Sequence, residues 1–166
     1  MSDTTTQADA APTGLRIGHV HLKVAEIERG LRFWRDAIGM TVQARHGDQA
    51  VFLGADGYHH HIALNTWESA GGEQPARGTT GLYHVALLYP DRSALARALQ
   101  RVLAHGIALD GASDHGVSEA HYLRDPDGNG VELYRDRDPA DWPRNPDGTL
   151  AFTTRPLNLQ ALLAER

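Results

Sequence analysis

Residues 121–134, HYLRDPDGNGVELY, carry the pattern from which the fold follows. Two short extended runs flank a turn-rich centre, Asp125 to Gly130, which has the composition of a hairpin loop. Past the loop, strand alternation puts Glu132 and Tyr134 on one face and Val131 and Leu133 on the other. A carboxylate among apolar strand residues needs a partner, because an unpaired buried charge costs several kcal/mol or shifts its pKa. Taken alone, the stretch fits an exposed strand face as well as a site. The rest of the chain changes that balance, because it holds the same unit twice.

Working outward, residues 17–24 (IGHVHLKV) alternate, with His19, His21 and Lys23 opposite Val20, Leu22 and Val24. Residues 26–39 carry Ile27, Leu31, Phe33, Trp34 and Ile38 at helical spacing and stop at Gly39. Strands are expected at 41–45, 50–53 and 59–65, and the Gly-, Pro-, Ser- and Glu-rich residues 68–80 read as a linker. The second half repeats the plan: a strand at 81–89, a helix at 92–103 ended by Gly106, a short strand near 107–109, a polar connector at 110–119, then the hairpin. FLGADG at 52–57 matches LRDPDG at 123–128, 71 positions later, and His19-Val20 matches His84-Val85, 65 positions later. The expected fold is therefore α+β, two βαβββ repeats forming a curved, partly open mixed β-barrel or cup with helices outside. Residues 1–14 read as a disordered tail and 15–137 as one domain, with repeats at 15–67 and 81–137. Residues 138–166 read as a C-terminal wrap or oligomer contact, closed by a short helix that Asn158 caps.

At 166 residues the chain is long enough for one core. Its net charge of −5, with both signs interspersed, leaves no footprint for nucleic acid. No apolar run has bilayer length and no secretory h-region follows Met1, so a cytoplasmic protein without a membrane partner is expected. The absence of cysteine rules out disulfides, thiolate zinc sites and iron–sulfur clusters held by this chain.

The repeat overlay pairs His19 with His84 on the first strands, and Glu132 with His61 on the last. A pseudo-twofold axis would bring all four to one face of the curved sheet. Imidazole and carboxylate without thiolate suit divalent iron, manganese, nickel or zinc, and two histidines with one carboxylate are the facial triad of non-haem Fe(II) oxygenases. Spacing does not choose which three of the four are ligands.

The GHVHL and LYHVAL strand starts and the DPDGNGVELY ending resemble the vicinal oxygen chelate superfamily of glyoxalases, bleomycin-resistance proteins and extradiol dioxygenases. The likeness runs from about residue 15 to 137 and is greatest to the type I extradiol (catechol 2,3-dioxygenase-like) enzymes, here in single-module form. It implies metal ligands at His19, His84 and Glu132, an acid–base catalyst at His61, and substrate contacts from Tyr122 and His115. It further implies Fe(II), with Mn(II) as a substitute, O2 as co-substrate, a small aromatic diol as substrate, and a homo-oligomer. His21 and His59 would flank the site and His60 would point away by alternation; Phe52, Trp67, Tyr83 and Trp142 read by default as core. Two rivals share the fold. One is another metal enzyme, a glyoxalase-like isomerase, epimerase or thiol transferase; the glyoxalase pattern wants Glu or Gln where His61 stands. The other is a non-catalytic ligand-sequestering protein, which lacks the two-histidine, one-carboxylate set.

Overall fold

The structure, a computed structural model, describes residues 11–165; most of the expected N-terminal tail, residues 1–10, lies outside the described residues. The first unit runs β1 (Val20–Lys23), α1 (Ile27–Leu31), β2 (Thr41–His46), β3 (Ala50–Gly54) and β4 (Ile62–Asn65). The second runs β5 (Val85–Leu88), α2 (Arg92–Ala104), β6 (Gly111–Asp114), β7 (Ser118–Arg124) and β8 (Gly130–Asp136). A two-residue strand, β9 (Arg155–Pro156), and a short helix, α3 (Leu159–Leu163), close the chain. The strands form two mixed sheets, ordered β1-β4-β3-β2 and β5-β8-β7-β6-β9. In each, the first strand of the unit lies parallel to the last, as the doubled plan requires. Among the described residues no helix is long and apolar enough to cross a membrane.

The two units share one core. Leu22, Val24, Leu31 and Trp34 from the first and Leu95, Leu99, Leu123 and Leu133 from the second are buried in a single cluster. Full burial of each such side chain stabilises by about 1.5–3 kcal/mol. The hairpin turn is also the bolt between units. The Asp125 carboxylate accepts from the backbone N–H groups of Asp127 and Asn129 and from the Trp34 indole at 3.4 Å. Asp127 accepts from the Ala25 N–H at 2.8 Å and from Arg29 at 2.5 Å. Past Leu31 the first helix widens to a π-type turn over Arg32–Ala37, where the Ile38 N–H reaches back to the Phe33 carbonyl. The Ala37 and Ile38 carbonyls there accept from Arg101 of α2. Beneath the second sheet, buried Glu119 accepts from Arg92, Arg135 and Arg137 and ties α2 to β7 and β8.

Several expectations change in detail. The "polar connector" contains β6 and a tight turn at His115-Gly116, while no strand forms at 107–109. Composition hid β6 because its residues, GASD, carry little strand propensity; pairing with β7 on one side and β9 on the other holds it. The C-terminal segment folds onto its own chain, with β9 beside β6 and Leu162 buried in the core. Asn158 caps α3 as expected, accepting from the Ala161 N–H at 3.0 Å. Phe52, Trp67, Tyr83 and Trp142 are not buried core residues; Phe33 and Trp34 fill that role.

The strand register also revises the repeat overlay. Val20 pairs with Ile62 and Val85 with Val131, so with Val20 over Val85 the mate of Glu132 is Ala63, not His61. By the same register Tyr122 stands where the first unit has Phe52. The loop joining β3 to β4 is longer than the one joining β7 to β8, and a match anchored on the Asp-Gly dipeptides carries that extra length into the strands.

Candidate active site

The hairpin β7–β8 builds the centre of the site. Its register sets Tyr122 directly opposite Glu132, so the ten-residue spacing between them is the geometry of a short turn, with both side chains on one face. The Tyr122 hydroxyl lies 3.2 Å from Glu132 Oε1 and 2.7 Å from His115 Nε2. His84, one residue before β5, places its Nε2 3.0 Å from Glu132 Oε2. At the other end, His115 Nδ1 is 2.9 Å from the Thr153 carbonyl. A carbonyl only accepts, so Nδ1 carries a proton. A continuous polar line thus runs from Thr153 through His115, Tyr122 and Glu132 to His84. Burial first, and the Glu132 charge second, push the Tyr122 phenol up to about 12, so it remains a neutral donor at physiological pH.

Two members of this line, Tyr122 and His84, also line a cleft of about 200 Å³, together with Tyr83, Asp110, Gly111, Leu123 and Arg124 among others. Gly130 is required at its floor: a Cβ there would stand 2.1 Å from the Tyr83 carbonyl oxygen.

Of the six expected site residues, the structure brings four together: His84, Glu132, Tyr122 and His115. His19 and His61 lie at the strand starts of the first sheet. The His19 ring packs 4.3 Å from that of His60, which in turn meets Phe52 and His59. The residues before Ile62 are loop rather than strand, so the alternation that should have turned His60 away does not operate. Burial, then the charges of His19 and the other nearby histidines, lowers the His60 pKa. His61 accepts from the Ala55 N–H through Nδ1 at 3.3 Å and stacks on Tyr58 at 4.6 Å. Its Nδ1 is therefore unprotonated. His21 packs edge-on against Trp67. Among the described residues no group of three His, Cys, Asp or Glu side chains is disposed to hold a metal ion. His84 and Glu132 fit one as an imidazole–carboxylate pair with donor atoms in contact; His19 does not join them in this conformation. Sequence reasoning missed the Thr153 carbonyl, which carries no residue-type signal, and Arg124, which the register places two residues along β7 from Tyr122.

Paired βαβββ units packed on one core are the plan of the vicinal oxygen chelate fold. The chain belongs to the Glyoxalase/Bleomycin resistance protein/Dioxygenase superfamily, whose model matches residues 16–133. It is 44% identical over 149 residues to the catechol-2,3-dioxygenase of Bacillus subtilis (strain 168), covering 90% of this chain and 51% of that protein. It is 32% identical over 123 residues to biphenyl-2,3-diol 1,2-dioxygenase 3 of Rhodococcus globerulus, covering 73% of this chain and 63% of that one. The chain thus spans about half to under two thirds of the length of these curated relatives. Among solved structures, a glyoxalase/dioxygenase from Nostoc punctiforme superposes with a TM-score of 0.64 at 17% identity, over 81% of this chain and all of that one. Lactoylglutathione lyase from Agrobacterium tumefaciens gives 0.57 at 22% identity, over 76% of this chain and 96% of that one. These two likenesses concern the fold alone.

Proposed function

We propose that this chain is an extradiol dioxygenase that binds a catechol-type diol at the second unit's cleft and cleaves the ring beside the diol with O2, using Fe(II). The observation that carries the reading is the polar line His115–Tyr122–Glu132–His84, of which Tyr122 and His84 line the cleft. The names of the Bacillus and Rhodococcus relatives support the same reaction class. Bound Fe(II) would supply one electron-donating centre for both diol and O2. His84 and Glu132 are the ligands the geometry favours, and the resemblance adds His19. His19 stands apart from that pair in this conformation, so two of the three expected ligands are together.

The chain's own residues supply a proton store. With Nδ1 of His115 committed to Thr153, neutral His115 offers Nε2 as an acceptor. Tyr122 has one hydroxyl proton, which serves either His115 or Glu132 but not both. When His115 takes a proton at Nε2, it donates to the Tyr122 oxygen, and the Tyr122 proton turns to Glu132. The line therefore accepts one proton from a diol hydroxyl and returns it later by reversing the same hydrogen bonds. We assign proton handling at the cleft to His115 and Tyr122; the acid–base role expected of His61 rests on the resemblance.

The test is to load the chain with Fe(II) without air, add catechol and substituted catechols, then admit O2. A yellow ring-fission product with matching O2 uptake is expected, lost in Tyr122→Phe and Glu132→Ala. Failure of every catechol to drive O2 uptake in iron-loaded protein would overturn the reading.

A further inference from the structure

We propose that the Asp110–Arg124 pair at the cleft reads a zwitterionic arm on the substrate ring, so that the preferred ligand is a single-ring catechol bearing an α-amino acid group. This rests on the reading of the cleft as a diol site. Arg124 lies two residues along β7 from Tyr122, at about 3.3 Å of rise per residue, and lines the same cleft. Its Nε forms an ion pair with Asp110 Oδ2 at 2.8 Å, and its Nη1 donates to the Gly128 carbonyl at 3.0 Å. These bonds hold the guanidinium in place and leave other N–H groups of its planar fork for a carboxylate. Asp110 keeps a second carboxylate oxygen for an ammonium group. Both side chains are about half exposed, at 55% and 49%, so as a solvated surface ion pair they contribute little to folding.

Charge balance selects the arm. A lone carboxylate on the ligand would be repelled by Asp110, and a lone ammonium by Arg124. A zwitterion meets an opposite charge at each end. Size selects the rest: about 200 Å³ is below the roughly 300–1,000 Å³ typical of drug-sized ligands, room for one ring and a short arm rather than two rings. Two glycines keep that room open. Gly130 stands between His84 and Arg124, and a Cβ added at Gly111 would meet no atom of the described residues within 4 Å.

The full chain, kept anaerobic with Fe(II), is titrated calorimetrically with catechol, dihydroxyphenylacetate, dopamine and L-dopa. L-dopa is expected to bind at least about tenfold more tightly than catechol, and more tightly than either singly charged ligand. Arg124→Gln and Asp110→Asn should each erase most of that advantage, read as the ratio of L-dopa to catechol affinity. Asp110→Asn should shift the preference to dihydroxyphenylacetate, and Gly111→Val should weaken every ligand. Equal affinity for L-dopa and catechol, or an advantage that survives both charge substitutions, would overturn the inference. Admitting air then separates the two claims. Ring cleavage of catechol without an L-dopa preference sinks the inference alone, whereas an Arg124-dependent preference without O2 uptake sinks the dioxygenase reading alone.

Discussion

Replacing His121 with methionine should make the protein far less sensitive to acid. His121 lies on β7 beside Tyr122 but on the opposite face, has no solvent exposure, and neither ring nitrogen has a hydrogen-bond partner among the described residues. Desolvation lowers its pKa from the ordinary 6.5 to about 4. The folded chain therefore resists protonation that the unfolded chain accepts. Above pH 6.5 the difference costs nothing; as pH falls from 6.5 toward 4 the unfolded state gains a proton and stability drains away, levelling off below 4. A gap of about 2.5 pH units at 1.36 kcal/mol each amounts to about 3 kcal/mol in full, and about 2 kcal/mol by pH 5. Methionine fills the space of the imidazole without a titrating group. Urea unfolding followed by tryptophan fluorescence at pH 8 and pH 5 should show the wild type losing about 2 kcal/mol more than the variant. Identical losses in the two proteins would refute the reasoning, since every other titrating group is common to both.

Other outcomes follow from the same geometry. Glu119→Gln should cost about 3–5 kcal/mol in chemical denaturation, because Arg92, Arg135 and Arg137 lose the buried carboxylate they share. Gly130→Ala should lower stability by about 1–3 kcal/mol in a thermal melt, through a Cβ forced against the Tyr83 carbonyl. Glu132→Ala and His84→Ala should abolish iron retention after desalting, measured by metal analysis, while His61→Phe keeps it; equal loss in all three would place His61 among the ligands. Asp127→Ala should cost about 3 kcal/mol in urea unfolding, since Arg29 and the Ala25 N–H lose the carboxylate that joins the two units.

The closeness of Tyr122 and Glu132 is legible in the sequence, for a local reason. Tyr122 and Glu132 flank a turn whose Asp, Pro, Asn and Gly residues announce a hairpin, and a hairpin fixes which residues face each other. Glu132 between Val131 and Leu133 gave its face by alternation, and both neighbours are buried. The first unit was harder to read. Its loop before β4 is longer than its counterpart, so an overlay made on matching letters drifted by two positions and gave Glu132 the wrong mate. His60 rather than His61 packs on His19 because loop residues do not obey strand periodicity.

The amino-acid sequence by itself determined the doubled βαβββ plan, the hairpin at Asp125–Asn129, and the pairing of Tyr122 with Glu132. These follow from periodicity and turn chemistry, which act over a few residues. Tertiary structure alone decided that the Thr153 carbonyl orients His115, that Arg124 meets Asp110 at the cleft, and that His19 stands with His60 while His84 stands with Glu132. Those contacts join strands and loops remote in the chain. Their partners are set by the register between sheet strands and by loop lengths, and no local pattern of residue types encodes either.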